Sequence, residues 1–280
     1  ETLPEVQEDS PSYVDFICGK GGVIDTWLNL GASGFRLDVA DELPDDFIEK
    51  IRTAVKSHGD DKLLLGEVWE DATTKEAFGQ RRTYLRGRGL DAVMNYPFRN
   101  AALDYLHGGD VAAVADALMQ ICENYPAPAL DCAMNFLSTH DTERAITAIA
   151  GEPCNGRDRC WQSKRCIPAD KMDDAVRKLL LGYAMIFTLP GVPCVYYGDE
   201  IAMQGYRDPF NRAFFDWNST EQRLRGPIKT LAALRRSCDA FDGGRLEIVR
   251  AEGDVLHYRR VGKTQTAEII LNRGPHLLAE

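Results

Sequence analysis

Five short apolar runs, at 34–39 (GFRLDV), 62–68 (KLLLGEV), 89–94 (GLDAVM), 131–138 (DCAMNFLS) and 193–197 (PCVYY), alternate with longer segments whose apolar residues recur at helical spacing. A short buried run followed by a helical segment is the signature of a βα unit, and repeated βα units imply a parallel sheet covered by helices. Phe47, Ile48, Ile51 and Val55 mark one helical face over 44–58, with Pro44 suited to a first turn and Gly59 to a stop. Val114, Leu118 and Ile121 predict a second helix over 111–124. Val176, Leu179, Leu180 and Tyr183 predict a third over 171–188. Beyond residue 243 the texture changes. LEIVRAEGDVLHYRRV is two alternating runs joined at Glu252-Gly253-Asp254, which predicts a hairpin in an antiparallel β domain. The expected organisation is an α/β domain over 1–242 and the start of a β domain over 243–280.

Charge and composition narrow the ligand. With 44% hydrophobic residues in 280, the chain can bury a large core. A net charge of −10 and a pI near 5.1 argue against nucleic acid and against an anionic membrane as partners. No run approaches the roughly 18 apolar residues of a membrane span, and the opening ETLPEVQEDSPSYVDF lacks the basic and apolar regions of an export signal. The expectation is therefore a cytoplasmic protein acting on a small or neutral ligand. Cys18, Cys122, Cys132 and Cys194 lie in or beside apolar runs and are expected in the core. Cys154, Cys160 and Cys166 lie in a polar loop at spacings wider than zinc pairs use, so no metal is expected there. CGKGG, 18–22, lacks the first glycine and the Ser or Thr of a phosphate loop and is read as a break between helices.

In a parallel α/β sheet the C-terminal strand ends face the ligand, and here those ends carry charge. Arg36 and Asp38 lie two apart on the first run, Glu67 closes the second in GEVWED, and His140-Asp141 follow the fourth in NFLSTHDTER. Side chains two apart on a strand share a face, so Arg36 should hold Asp38 ionised and orient it. Glu67 sits in an apolar frame with Trp69 two residues on, which favours a retained proton. A buried ion-pair network would fit these residues too. Carboxylates from separate strand ends better suit glycoside hydrolysis, in which one acid protonates the leaving oxygen and another carboxylate attacks or stabilises the sugar centre.

These residues resemble the α-amylase family of glycoside hydrolases, especially its neopullulanase and cyclomaltodextrinase-like members. Gly34, Arg36 and Asp38 resemble that family's strand-four motif, GEVW its strand-five motif, and His140-Asp141 its strand-seven motif. The resemblance implies that Asp38 is the nucleophile, Glu67 the acid/base, and Asp141 the carboxylate that steadies the distorted sugar, with His140 contacting a hydroxyl and Trp69 lining the site. GVPCVYYGDE (191–200) resembles the strand-eight motif, and DPFNRAFFDW implies a distant sugar contact by Asp208 and Arg212. LPEVQ (3–7) resembles the motif that closes the family's inserted domain, with Gln7 departing from the usual asparagine.

The resemblance implies a partial (β/α)8 TIM barrel, strands four to eight, followed by the truncated antiparallel domain. On that reading the chain is an inactive fragment that self-associates through its open edges, and secretion of the native protein stays open. Val39-Ala40-Asp41-Glu42 stands where starch-liquefying members carry a lysine-histidine pair. This points to maltodextrins, cyclodextrins or related α-glucan oligosaccharides as substrate. The resemblance implies no organic cofactor, with calcium left to segments of the full-length enzyme. The same residues fit a transglycosylase, and a non-catalytic amylase-like interaction protein is the remaining alternative.

Overall fold

Apolar runs four to eight residues long can pair only as short strands, and in the computed structural model, which describes residues 6–275, the strands are short. The chain packs as two units, one of residues 1–95 with 124–133, the other of 96–123 with 134–280. Residues 3–5 of LPEVQ and the last five residues of the 243–280 span lie outside the described residues.

The first unit holds α1 (Pro11–Cys18), α2 (Val23–Asn29), β1 (Gly34–Leu37), α3 (Asp45–Lys56), β2 (Leu63–Gly66), a two-stranded hairpin of β3 (Glu76–Ala77) and β4 (Gln80–Arg81), and β5 (Ala92–Val93). β1, β2 and β5 form a parallel sheet in that order, with Arg36 opposite Leu65 and Gly66 opposite Val93. The predicted face of α3 is the buried one, Phe47, Ile48, Ile51 and Val55. CGKGG does separate α1 from α2, and Gly21 turns there at φ +77°.

The second unit holds α4 (Tyr96–Leu106) and, up to Glu123, α5 (Val111–Asn124); α6 (Ala127–Cys132) belongs to the first. It continues with β6 (Met134–Asn135), α7 (Ala145–Ala150), α8 (Arg159–Gln162), α9 (Met172–Thr188), β7 (Val192–Pro193) and α10 (Arg225–Ser237). β6 and β7 pair in parallel, and α9 packs against α4, α7 and α10. The chain ends in the antiparallel sheet β8 (Arg245–Glu252), β9 (Val255–Val261) and β10 (Thr266–Asn272), ordered β10-β9-β8, whose first turn is Gly253 at φ +61°.

Two expectations are corrected. Asp131 and Cys132 close a helix and do not open a strand, because a short apolar run does not by itself separate helix from strand. The four cysteines placed in the core are not fully buried: Cys18, Cys122 and Cys194 are half-buried, and Cys132, on the last turn of its helix, is exposed. No helix among the described residues is long and apolar enough to cross a membrane.

Candidate active site

In the first unit the ladder between β1 and β2 runs past the strand ends, with Glu67 N–H donating to Leu37 O (3.0 Å) and Ala40 N–H to Glu67 O (3.1 Å). This sets Asp38 and Glu67 side by side at neighbouring strand ends. Arg36 spans them. Its Nη1 is ion-paired with Asp38 Oδ1 and its Nη2 lies 2.9 Å from Glu67 Oε2.

Glu67 is 4% exposed and held at both oxygens. Oε2 also accepts from the Val39 N–H (2.9 Å), and Oε1 accepts from the Trp69 indole N–H (3.1 Å). Two N–H donors and the Arg36 guanidinium thus meet at Glu67. Asp38 differs in kind, its side chain being 72% exposed. Val39 is one residue whose role the sequence did not show. It sits in the left-handed region at φ +44°, which is costly for a β-branched side chain, and that turn aims its N–H at Glu67. Nothing in the composition of GFRLDV signals the turn; the strand simply stops at Leu37.

Close approach of backbones supports this geometry. A Cβ added to Gly34 would lie 2.1 Å from Leu63 O on the neighbouring strand, and one on Gly66 would lie 2.2 Å from Leu90 Cδ1. At Gly34 the obstacle is the backbone of the paired strand, so only glycine admits the spacing there; at Gly66 it is the end of the Leu90 side chain, which can shift.

In the second unit His140 and Asp141 stand in the loop after β6. His140 Nε2 is 3.0 Å from Asp141 Oδ2. Arg212 reaches the same loop: Nη2 is 3.5 Å from Asp141 Oδ1, and Nε donates to His140 O (3.0 Å) and lies 3.1 Å from Asp208 Oδ1. The four residues His140, Asp141, Asp208 and Arg212 are therefore one cluster. Asn211, which sequence reasoning passed over beside Arg212, donates its carboxamide to His140 O and Thr142 O, both at 2.7 Å, and so fixes the loop from below. Asp141 N–H donates to Thr139 Oγ1 (3.1 Å) and Thr139 N–H to Thr142 Oγ1 (2.9 Å), a local lock that its Thr-rich sequence supplies.

Chemically, the first unit presents an exposed carboxylate and a buried one joined by a guanidinium. The second presents a carboxylate flanked by an imidazole and a guanidinium. Among the described residues no group of three or more His, Cys, Asp or Glu side chains is placed to hold a metal.

Residues 2–239 match the family model described as alpha amylase, catalytic domain. A cyclomaltodextrinase from Geobacillus thermopakistaniensis (strain MAS1) is 35% identical over 246 residues, covering 86% of this chain and 36% of that protein. Neopullulanase 2 from Thermoactinomyces vulgaris is 30% identical over 280 residues, covering 97% of this chain and 42% of that protein. Among solved structures, the ligand-free cyclic alpha-maltosyl-(1→6)-maltose hydrolase from Arthrobacter globiformis superposes with a TM-score of 0.76 at 31% identity. It covers 94% of this chain and 52% of that one. The chain thus spans less than half the length of either curated relative.

Proposed function

The chain belongs to the alpha-amylase family, and from that premise we propose that the protein carrying it hydrolyses α-glucosidic bonds in maltodextrins, cyclodextrins or pullulan with retention at the anomeric carbon. The observation that supports this most is the single guanidinium joining Asp38 to Glu67 at adjacent strand ends. In the first half-reaction the Glu67 carboxyl gives its proton to the glycosidic oxygen while an Asp38 oxygen bonds to the anomeric carbon, and the leaving sugar departs as an alcohol. In the second, Glu67 takes a proton from water, whose oxygen displaces Asp38 and restores the free enzyme. Asp141, with His140 beside it, holds the distorted sugar between the two steps.

Trp69, 46% exposed with its indole N–H on Glu67, offers an aromatic face to a sugar next to the cleaved bond. Asp208 and Arg212 bind a sugar further along. A cavity of about 600 Å³, lined by Glu143, Arg157, Tyr206 and Arg207 among others, opens in the second unit and has room for a longer chain. In this reading the parallel strands are barrel strands four to eight, and a β domain starts near residue 243.

The test is Asp38→Asn, Glu67→Gln and Asp141→Asn in the full-length protein, assayed on maltooligosaccharides. Each is expected to lower kcat by about 10³-fold or more while circular dichroism stays native. Near-normal turnover in any one of the three removes that residue from the site.

A further inference from the structure

The loop that presents His140 and Asp141 is entered through Ser138 and left through Arg144, and one buried side chain meets both. Asp199 is 1% exposed. Its Oδ2 accepts from Ser138 Oγ (2.5 Å) and from the Tyr183 hydroxyl of α9 (2.9 Å), and its Oδ1 lies 3.6 Å from Arg144 Nη1. Arg144 is itself wholly buried. Its guanidinium lies 4.5 Å from the Tyr196 ring centroid and 4.4 Å from that of Tyr197, and it donates to Tyr197 O. Gly198, at φ +87°, lets the backbone come this close, since a Cβ there would lie 2.3 Å from Met203 Sδ and 3.0 Å from Arg144 Nη1.

We infer that Asp199 is a positioning residue for catalysis: one buried carboxylate anchors both ends of the Ser138–Arg144 loop and thereby fixes where Asp141 meets the sugar. The inference rests on the reading of Asp141 as the third carboxylate of the hydrolase. Asp199 cannot touch substrate from where it lies. It acts through charge, because Arg144 packs against the Tyr196 and Tyr197 rings with Asp199 as its buried counter-ion. The charged and titratable groups around Asp199 are Arg144, Tyr183, Cys194 and Glu200. Burial pushes the Asp199 carboxyl up to about 6, against the downward pull of the Ser138 and Tyr183 bonds and of Arg144, with Glu200 adding to the rise. The anchor therefore loses its charge near pH 6, and with it the hold on the departing end of the loop.

The experiment compares Asp199→Asn and Tyr183→Phe with the parent full-length enzyme on a maltooligosaccharide across pH 4.5 to 8. Asp199→Asn is close in size but cannot ionise. It is expected to lower kcat about 10- to 100-fold at pH 7 with KM changed less than about threefold, and to abolish the acid limb near pH 6. Tyr183→Phe removes a bond that favours the ionised carboxylate, so it keeps the acid limb and moves it to higher pH. The same two variants are read by hydrogen exchange at the Asp141 and Thr142 amides, which should speed up about tenfold in Asp199→Asn. A kcat within twofold of the parent in Asp199→Asn, or an unmoved acid limb in Tyr183→Phe, overturns the inference. If the parent hydrolyses no α-glucan, the functional reading fails, and unchanged exchange at these amides then overturns the loop anchor on its own terms. Should Asp199→Asn not fold, Tyr183→Phe carries both readouts.

Discussion

Raising the pH from 4 to 7 should weaken the folded protein through Asp199 alone by about 2 kcal/mol. The sign follows from the direction of the shift. Burial raises this carboxyl from 3.8 in an open chain to about 6 in the fold, so between those values the native state holds a proton that the unfolded chain has released. The stabilising contribution is complete below about pH 3, is still mostly present at pH 4, and is lost as pH rises through about 6. At about 1.4 kcal/mol for each tenfold difference in proton affinity, the gap between 3.8 and 6 amounts to about 3 kcal/mol. The assay is urea unfolding of the parent and of Asp199→Asn at pH 4, 5, 6 and 7 at fixed salt. Subtracting one from the other cancels every other titrating group. The parent's advantage over the variant should fall by about 2 kcal/mol across this range, the rest of the roughly 3 kcal/mol lying below pH 4. A difference that stays flat, or that grows with pH, refutes the reasoning, because it would mean that Arg144 and the two hydroxyls outweigh burial.

Gly34→Ala should cost about 2 kcal/mol or more and abolish turnover, since its Cβ would meet Leu63 O of the paired strand at 2.1 Å; thermal unfolding and a kcat measurement check both. Arg212→Met removes contacts to Asp141, Asp208 and His140 O from a side chain about half exposed, so stability should change by less than about 1 kcal/mol while KM for long maltooligosaccharides rises several-fold. Arg260→Met should cost about 3 kcal/mol in urea unfolding without altering KM, because Arg260 is wholly buried and donates to Gly244 O and Thr188 O, both at 2.7 Å.

Legibility in the sequence followed periodicity. The helix expected over 171–188 runs from Met172 to Thr188, and the one over 44–58 runs from Asp45 to Lys56, because each buries one apolar stripe whose spacing is visible locally. The hairpin turn at Gly253 was equally plain. The pairing of Arg36 with Asp38 was read from their separation, although Asp38 lies just past the strand and meets Arg36 across a turn. Arg36 reaching Glu67 was not legible, since it depends on strand register. The Asp199 anchor was hidden for the same reason: Ser138 and Asp199 are 61 positions apart, and only packing brings them together. Within DCAMNFLS the strand shrinks to Met134–Asn135 and Asp131-Cys132 close a helix, because six apolar or small residues carry no period to set helix against strand.

The central claim is that Asp38 attacks the sugar. A fluorinated glucosyl or maltosyl fluoride that forms the glycosyl-enzyme quickly and releases it slowly, followed by peptide mass spectrometry of the full-length protein, tests it directly. One sugar per protein is expected, linked to the peptide that contains Asp38, with no labelling in Asp38→Asn. A sugar on any other side chain, or complete inactivation with the Asp38 peptide unmodified, would contradict it.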